Sequence, residues 1–173
     1  HSQQILCPGS VLLNLGSHWK SIWIDRTGRI GGSRTSLSGE LLQAARTHTV
    51  LASALPADWP EELQADWGLA GVQEAMVAGL ERALFCVRLL EQRSDNTPWD
   101  RLAFLAGAFV GAALPHLVAT LPAQATVVLA GGGGVGEIFA QALRERGIAV
   151  RRLSPSEVEA ALVQGLRRLI AAR

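Results

Sequence analysis

The sequence predicts a mixed α/β fold: a three-stranded antiparallel meander, a helical middle, and two closing strand–helix units. Three observations carry this prediction. Short β-prone runs separated by a polar turn and a glycine turn occupy residues 11–36. Val72, Met76, Leu80, Leu84 and Val87 recur at helical spacing in the middle. The apolar runs Ala125–Ala130 and Ile148–Leu153 each lead into a helical stretch.

The elements follow in order. Val11–Leu15 is a strand, and Ser17–Lys20 is a polar turn. Ser21–Asp25 alternates, with Ile22 and Ile24 on one face and Trp23 on the other. Arg26–Arg29 is a hairpin connection containing Gly28, and Ile30–Ser36 returns as a third strand. Ser38 is expected to cap a helix running from Glu40 to Ser53. Pro56, Trp59 and Pro60 mark a break. Helices are expected over 60–67 and 71–92, a loop over Ser94–Pro98, and an apolar helix over Trp99–Leu121. After the strand Ala125–Ala130, the spacing predicts a helix over Glu137–Arg146 closed by Gly147. Ile148–Leu153 is the next strand, and Ser154–Glu157 opens the last helix with Pro155 near its first position.

Composition narrows the function classes. Of 173 residues, 49 % are hydrophobic and 18 % charged, which supports a core and argues against disorder. A net charge of +1 offers no electrostatic case for nucleic acid or an acidic membrane. Cys7 and Cys86 lack metal-ligand spacing and read as thiols of a reducing compartment, so a cytoplasmic location is expected. From Leu102 to Gly136 there is no Asp, Glu, Lys or Arg, and Gly107 and Gly111 form a GxxxG pattern. Pro115 and His116 interrupt this stretch and Pro122 ends it. The first piece is short for ~30 Å of hydrocarbon, so a buried core helix is expected rather than a membrane span.

Gly131–Gly134 lies between an apolar strand and a helix. Missing Cβ atoms let a backbone approach a phosphate or a base closely, and a following helix presents free N–H groups. Gly131, Gly133 and Gly136 also satisfy G-x-G-x-x-G. A dinucleotide domain needs several strand–helix units after that fingerprint, and one strand and one helix remain. An NADP-binding domain is therefore the less favoured alternative.

The order of elements resembles one lobe of the ribonuclease H-like, actin-like ATPase fold of sugar kinases, with a helical insertion at about 57–98. Val127–Gly134, followed by Gln141 and Gly147–Val150, is similar to the adenosine motif of such kinases. Gly16-Ser17-His18-Trp19-Lys20, Arg34-Thr35 and Ser38-Gly39-Glu40-Leu41 resemble the G-[ST]-H-x-K…R-T-x-x-[ST]-G-E-L pattern of the 2-keto-3-deoxygalactonate kinases. Leu84–Arg88 and Phe104–Gly111 resemble two further segments of that family. Ala113 stands where some members carry an acid.

The resemblance spans nearly the whole chain and the C-terminal half of the family's length. It implies a single C-terminal lobe over 1–173, with the N-terminal lobe absent; the start at His1 rather than Met agrees with that expectation. It implies ATP-dependent phosphorylation of 2-keto-3-deoxygalactonate at its terminal hydroxyl, with Mg²⁺ as cofactor. Gly16, Ser17 and His18 are expected at the phosphates, and Gly131, Gly132, Gly133 and Gly134 at the nucleoside. Lys20 and Glu40 are the candidate catalytic residues, and Arg34 and Thr35 the substrate contacts. No metal ligand is assigned. The catalytic base and first phosphate loop are expected in the other lobe. A non-catalytic nucleotide or sugar-acid binding lobe is the alternative. Small molecules are the expected partners, and a homodimer is left open.

Overall fold

The computed structural model describes residues 6–93 and 95–171. The meander forms as the residue pattern dictates, with β1 at Val11–Leu15, β2 at Trp19–Ile24 and β3 at Ile30–Ser36. Trp19 and Lys20 belong to β2 rather than to the turn before it. Two later strands, β4 (Val127–Gly131) and β5 (Val150–Arg152), complete a sheet of order β3-β2-β1-β4-β5. β2 is antiparallel to β1 and β3, while β1–β4 and β4–β5 are parallel. Alternation along β1 places Val11, Leu13 and Leu15 on the helix-covered face, where all three are buried. Trp19, the cross-strand partner of Leu15, joins them and packs edge-on against Phe139 at 5.9 Å.

The first helix differs from its expected bounds. α1 spans Ser38–His48, and Leu37 occupies the capping position without a side-chain cap. The Ser38 hydroxyl instead pairs with that of Ser36 at 2.8 Å. The helix ends early because Thr49 turns extended and its Oγ1 donates to the Ala45 carbonyl at 2.6 Å. A single 3₁₀ turn follows at Ala52–Ala54.

The middle third also departs from expectation. Residues 61–64 are not helical; α2 begins at Ala65 and ends at Ala78. Leu63 leans on the glycine turn at Gly134 and ties this segment to it. The helix expected over 71–92 is broken at Gly79, where φ is +86°, and α3 resumes at Leu80–Arg93.

α4 (Pro98–Thr120) is the centre of the fold. Its start is built locally: Thr97 Oγ1 accepts from the Asp100 amide at 3.2 Å, and Asp100 Oδ2 accepts from the Thr97 amide at 2.8 Å. Its apolar stretch is 67 % buried, against α1, α2, α3 and α5. That burial makes it a core helix by the closeness the small residues predict.

α5 (Gly133–Arg144) starts four residues before the expected Glu137, because the glycine turn itself supplies the first helical turn. α6 (Pro155–Ala171) begins with a second capping box, in which Ser154 N donates to Glu157 Oε2 at 2.8 Å. α6 buries no residue, and Leu162, Val163, Leu166, Leu169 and Ile170 are exposed along it. The Ser154 amide, and then the Arg151 guanidinium and Ser154 hydroxyl, hold the Glu157 carboxyl below the usual glutamate range. A lowered folded value contributes stability above the unfolded value and loses it as pH falls through the folded one. Acidification below about 4.3 should therefore loosen the start of α6 first. Amide protection at 156–158, followed by NMR against pH, checks this; protection there that ignores pH while the rest of α6 responds would contradict it.

Both cysteines are free thiols. Burial, reinforced by the Glu74 carboxylate, pushes the Cys86 thiol up. That favours the unreactive protonated form.

Candidate functional site

β1 and β4 run side by side in the same direction, with Leu15 opposite Gly131. Their carboxyl ends therefore open at one end of the sheet, where ligands settle in open α/β folds. The β1–β2 hairpin and the glycine turn both leave the sheet there. Between them and α1 lies a cavity of about 590 Å³, lined by Gly16, Ser17, Trp19, Glu40, Trp59 and Gly132 among others.

α1 is docked onto the hairpin. The Glu40 amide donates to the Ser17 carbonyl at 2.7 Å. The Glu40 carboxylate lies 3.2 Å from His18 Nε2, with both side chains exposed. Ser17 lines the cavity, and its Oγ has no protein partner among the described residues.

The glycine turn has a physical reason at each position. Gly131, Gly132 and Gly133 carry φ values of +75°, +80° and +47°, a run of left-handed residues that side chains resist. Gly134 is buried beneath Leu63, whose Cγ would sit 2.7 Å from an added Cβ. The backbone of the turn accounts for the run before any ligand is considered. Of the four, Gly132 lines the cavity.

Two contributors escaped the sequence reading. Trp59 closes the cavity from the Pro56–Pro60 break. The Arg46 guanidinium lies 5.6 Å from the centre of its ring and donates to the Ala57 carbonyl at 2.7 Å. A tryptophan between an acid and a proline was the available signal. Arg152, at the end of β5, donates to the Gly133 carbonyl at 3.1 Å and pairs with Glu137. It braces the turn from the neighbouring strand, a contact that depends on the β4–β5 register.

Other expected residues are not brought here. Lys20 faces Thr35 across β2–β3, and strand alternation puts both on the face opposite Trp19. Arg34 faces Ser21 and lines a second cavity between the sheet and α4. Arg34 and Thr35 are sequence neighbours on opposite faces of the edge strand β3. Among the described residues no group of three His, Cys, Asp or Glu side chains converges as a metal site.

The mixed sheet, the glycine turn and the hairpin facing it across one cavity define a mixed α/β domain with a cavity at its sheet end. The antiparallel β1–β2–β3 edge distinguishes it from a parallel dinucleotide-binding sheet. Comparison with known proteins makes the assignment specific. The chain belongs to the 2-keto-3-deoxy-galactonokinase family, whose profile matches residues 4–169. A Rhizobium meliloti (strain 1021) protein assigned as 2-dehydro-3-deoxygalactonokinase DgoK1 is 27 % identical over 166 residues, covering 90 % of this chain and 51 % of its own length. A crystal structure from Sinorhizobium meliloti, assigned as a 2-dehydro-3-deoxygalactonokinase protein, shares the fold with a TM-score of 0.74 at 24 % identity. That superposition covers 95 % of this chain and 53 % of the other. The chain thus spans about half the length of the relatives it matches.

Proposed function

We propose that this chain supplies the nucleotide-side lobe of an ATP-dependent sugar-acid kinase, which transfers a phosphoryl group to the terminal hydroxyl of 2-keto-3-deoxygalactonate. The observation that carries this reading is the convergence of Ser17 and Gly132 of the glycine turn on one cavity at the carboxyl ends of β1 and β4. The strand order, with β2 alone antiparallel, supports the ribonuclease H-like, actin-like assignment. A metabolic kinase of this kind fits a cytoplasmic location.

Phosphoryl transfer asks a protein for positioning and charge stabilisation. Here the hairpin backbone at Gly16–His18 and the Ser17 hydroxyl would donate to phosphate oxygens. The nucleoside would lie along Gly131–Gly133, where the α5 N-terminus adds its partial positive charge. Trp59 offers a flat ring for the base. His18 holds Glu40 at the mouth of the cavity. Mg²⁺ is commonly held by phosphates and one or two carboxylates rather than by a protein cage, and Glu40 is the carboxylate this cavity provides. Lys20 would act from the hairpin's outer face as a flanking cation. The proton-accepting base belongs to the other half of the kinase. The reading gives Arg34 no part, because its cavity is walled by apolar side chains that suit a polyhydroxylated acid poorly.

Calorimetric titration with ATP and with NADPH tests the reading. The chain should bind ATP without turning it over and leave NADPH unbound. Ser17→Ala should weaken ATP by roughly five- to tenfold, about 1 kcal/mol, with the fold unchanged by circular dichroism. Tight NADPH binding without ATP binding, or ATP hydrolysis coupled to sugar-acid phosphorylation by the 173 residues alone, would overturn it.

A further inference from the structure

The second cavity lies on the other side of α1, between the meander and α4, and encloses about 300 Å³. Its walls are Leu13, Trp19, Trp23, Phe109, Leu117 and Phe139, with aromatic rings on both sheet and helix sides. Its polar lining residues are few: Arg34, His116, Ser21, Ser36, Ser38 and Thr120. No Asp or Glu lines it. Among the described residues Arg34 has no carboxylate partner and no side-chain hydrogen bond.

A solvent-exposed guanidinium without an ion-pair partner, beside an aromatic-walled hollow, suits one ligand chemistry. The planar fork recognises a carboxylate through two parallel hydrogen bonds. The apolar wall rewards burial of a flat hydrocarbon body and penalises hydroxyls that would lose their water. An apolar cavity of roughly 150 Å³ accommodates a benzene ring, so twice that volume admits a ring with a short acid chain. We infer that this cavity is a binding site for a small aromatic or apolar-bodied monocarboxylate, with Arg34 holding the carboxylate and Trp23 the body. The site is separate from the glycine-turn cavity, shares Trp19 as a wall with it, and does not depend on the kinase reading.

The test uses 3-phenylpropionate, its neutral counterpart 3-phenylpropanol, and acetate. Binding is followed by calorimetry and by the NMR signal of the Trp23 indole N–H, which donates to the Thr120 carbonyl at the cavity edge. Phenylpropionate should shift that signal and bind at least roughly tenfold more tightly than either the alcohol or acetate. Arg34→Gln should erase the acid's advantage over the alcohol, while Arg34→Lys should keep part of it. β3 is exposed at Arg34, so both variants should melt with the parent. An unmoved Trp23 signal, equal binding of acid and alcohol, acetate binding as tightly as phenylpropionate, or an Arg34→Gln chain that binds the acid normally would each overturn the inference. ATP affinity measured on Arg34→Gln separates this outcome from failure of the kinase reading, since Arg34 does not line the nucleotide cavity.

Discussion

Gly107→Ala should destabilise the protein by about 3 kcal/mol or more. In an isolated helix the same change would help by ~1 kcal/mol, so the sign is decided by what the methyl group meets. A Cβ on Gly107 would lie 1.8 Å from the Gly68 carbonyl oxygen and 2.7 Å from its carbonyl carbon. Both are backbone atoms of α2, with no rotamer to swing aside. α2 and α4 would have to part, and that contact is the most extensive between any two elements of the fold. Buried neighbours such as Leu105, Phe109 and Val110 would lose packing with it. Gly165→Ala is the matching control. Gly165 lies inside α6 with nothing within 4 Å of an added Cβ, so the change should stabilise by roughly 0.5–1 kcal/mol. Urea unfolding of the two variants should move in opposite directions. A Gly107→Ala protein as stable as its parent would refute the backbone contact.

Arg101→Met should cost about 2–4 kcal/mol. Arg101 is 8 % exposed at the start of α4. Its Nε donates to the Ala54 carbonyl at 2.7 Å, and its Nη1 donates to Asn96 Oδ1 at 2.6 Å and to the Asn96 carbonyl at 3.2 Å. Carbonyl dipoles from two separate loops thus compensate the charge. Methionine preserves much of the volume but leaves those acceptors without this donor, and burial makes the loss expensive. Hydrogen exchange should show 51–56 and 95–97 opening together. Unchanged stability, or opening confined to one of the two loops, would count against a shared clasp.

Periodicity and turn chemistry are local, and what they determine here was readable in the sequence. β1 and β3 match their expected bounds because β-prone runs end at glycine or polar turns. The start of α4 follows from Thr97, Pro98 and Asp100, and the glycine run follows from a turn that needs left-handed backbone. The motif pattern also pointed to the family that the comparisons show.

Helix limits were less readable where distant residues decide them. Residues 61–64 are not helical, with Leu63 packed on a turn some seventy positions later. The site divides in the same way. Sequence proximity grouped Lys20, Arg34 and Thr35 with Ser17, whereas strand alternation sends Lys20 and Thr35 to one face and Arg34 to another cavity. Arg101 and Arg152 acquire their roles from partners on other elements, so no local pattern marks them. The sequence by itself determined the order of strands and helical regions along the chain and which family the chain resembles. The tertiary structure alone decided which side chains share a cavity, because that depends on register between strands and on helix contacts far apart along the chain.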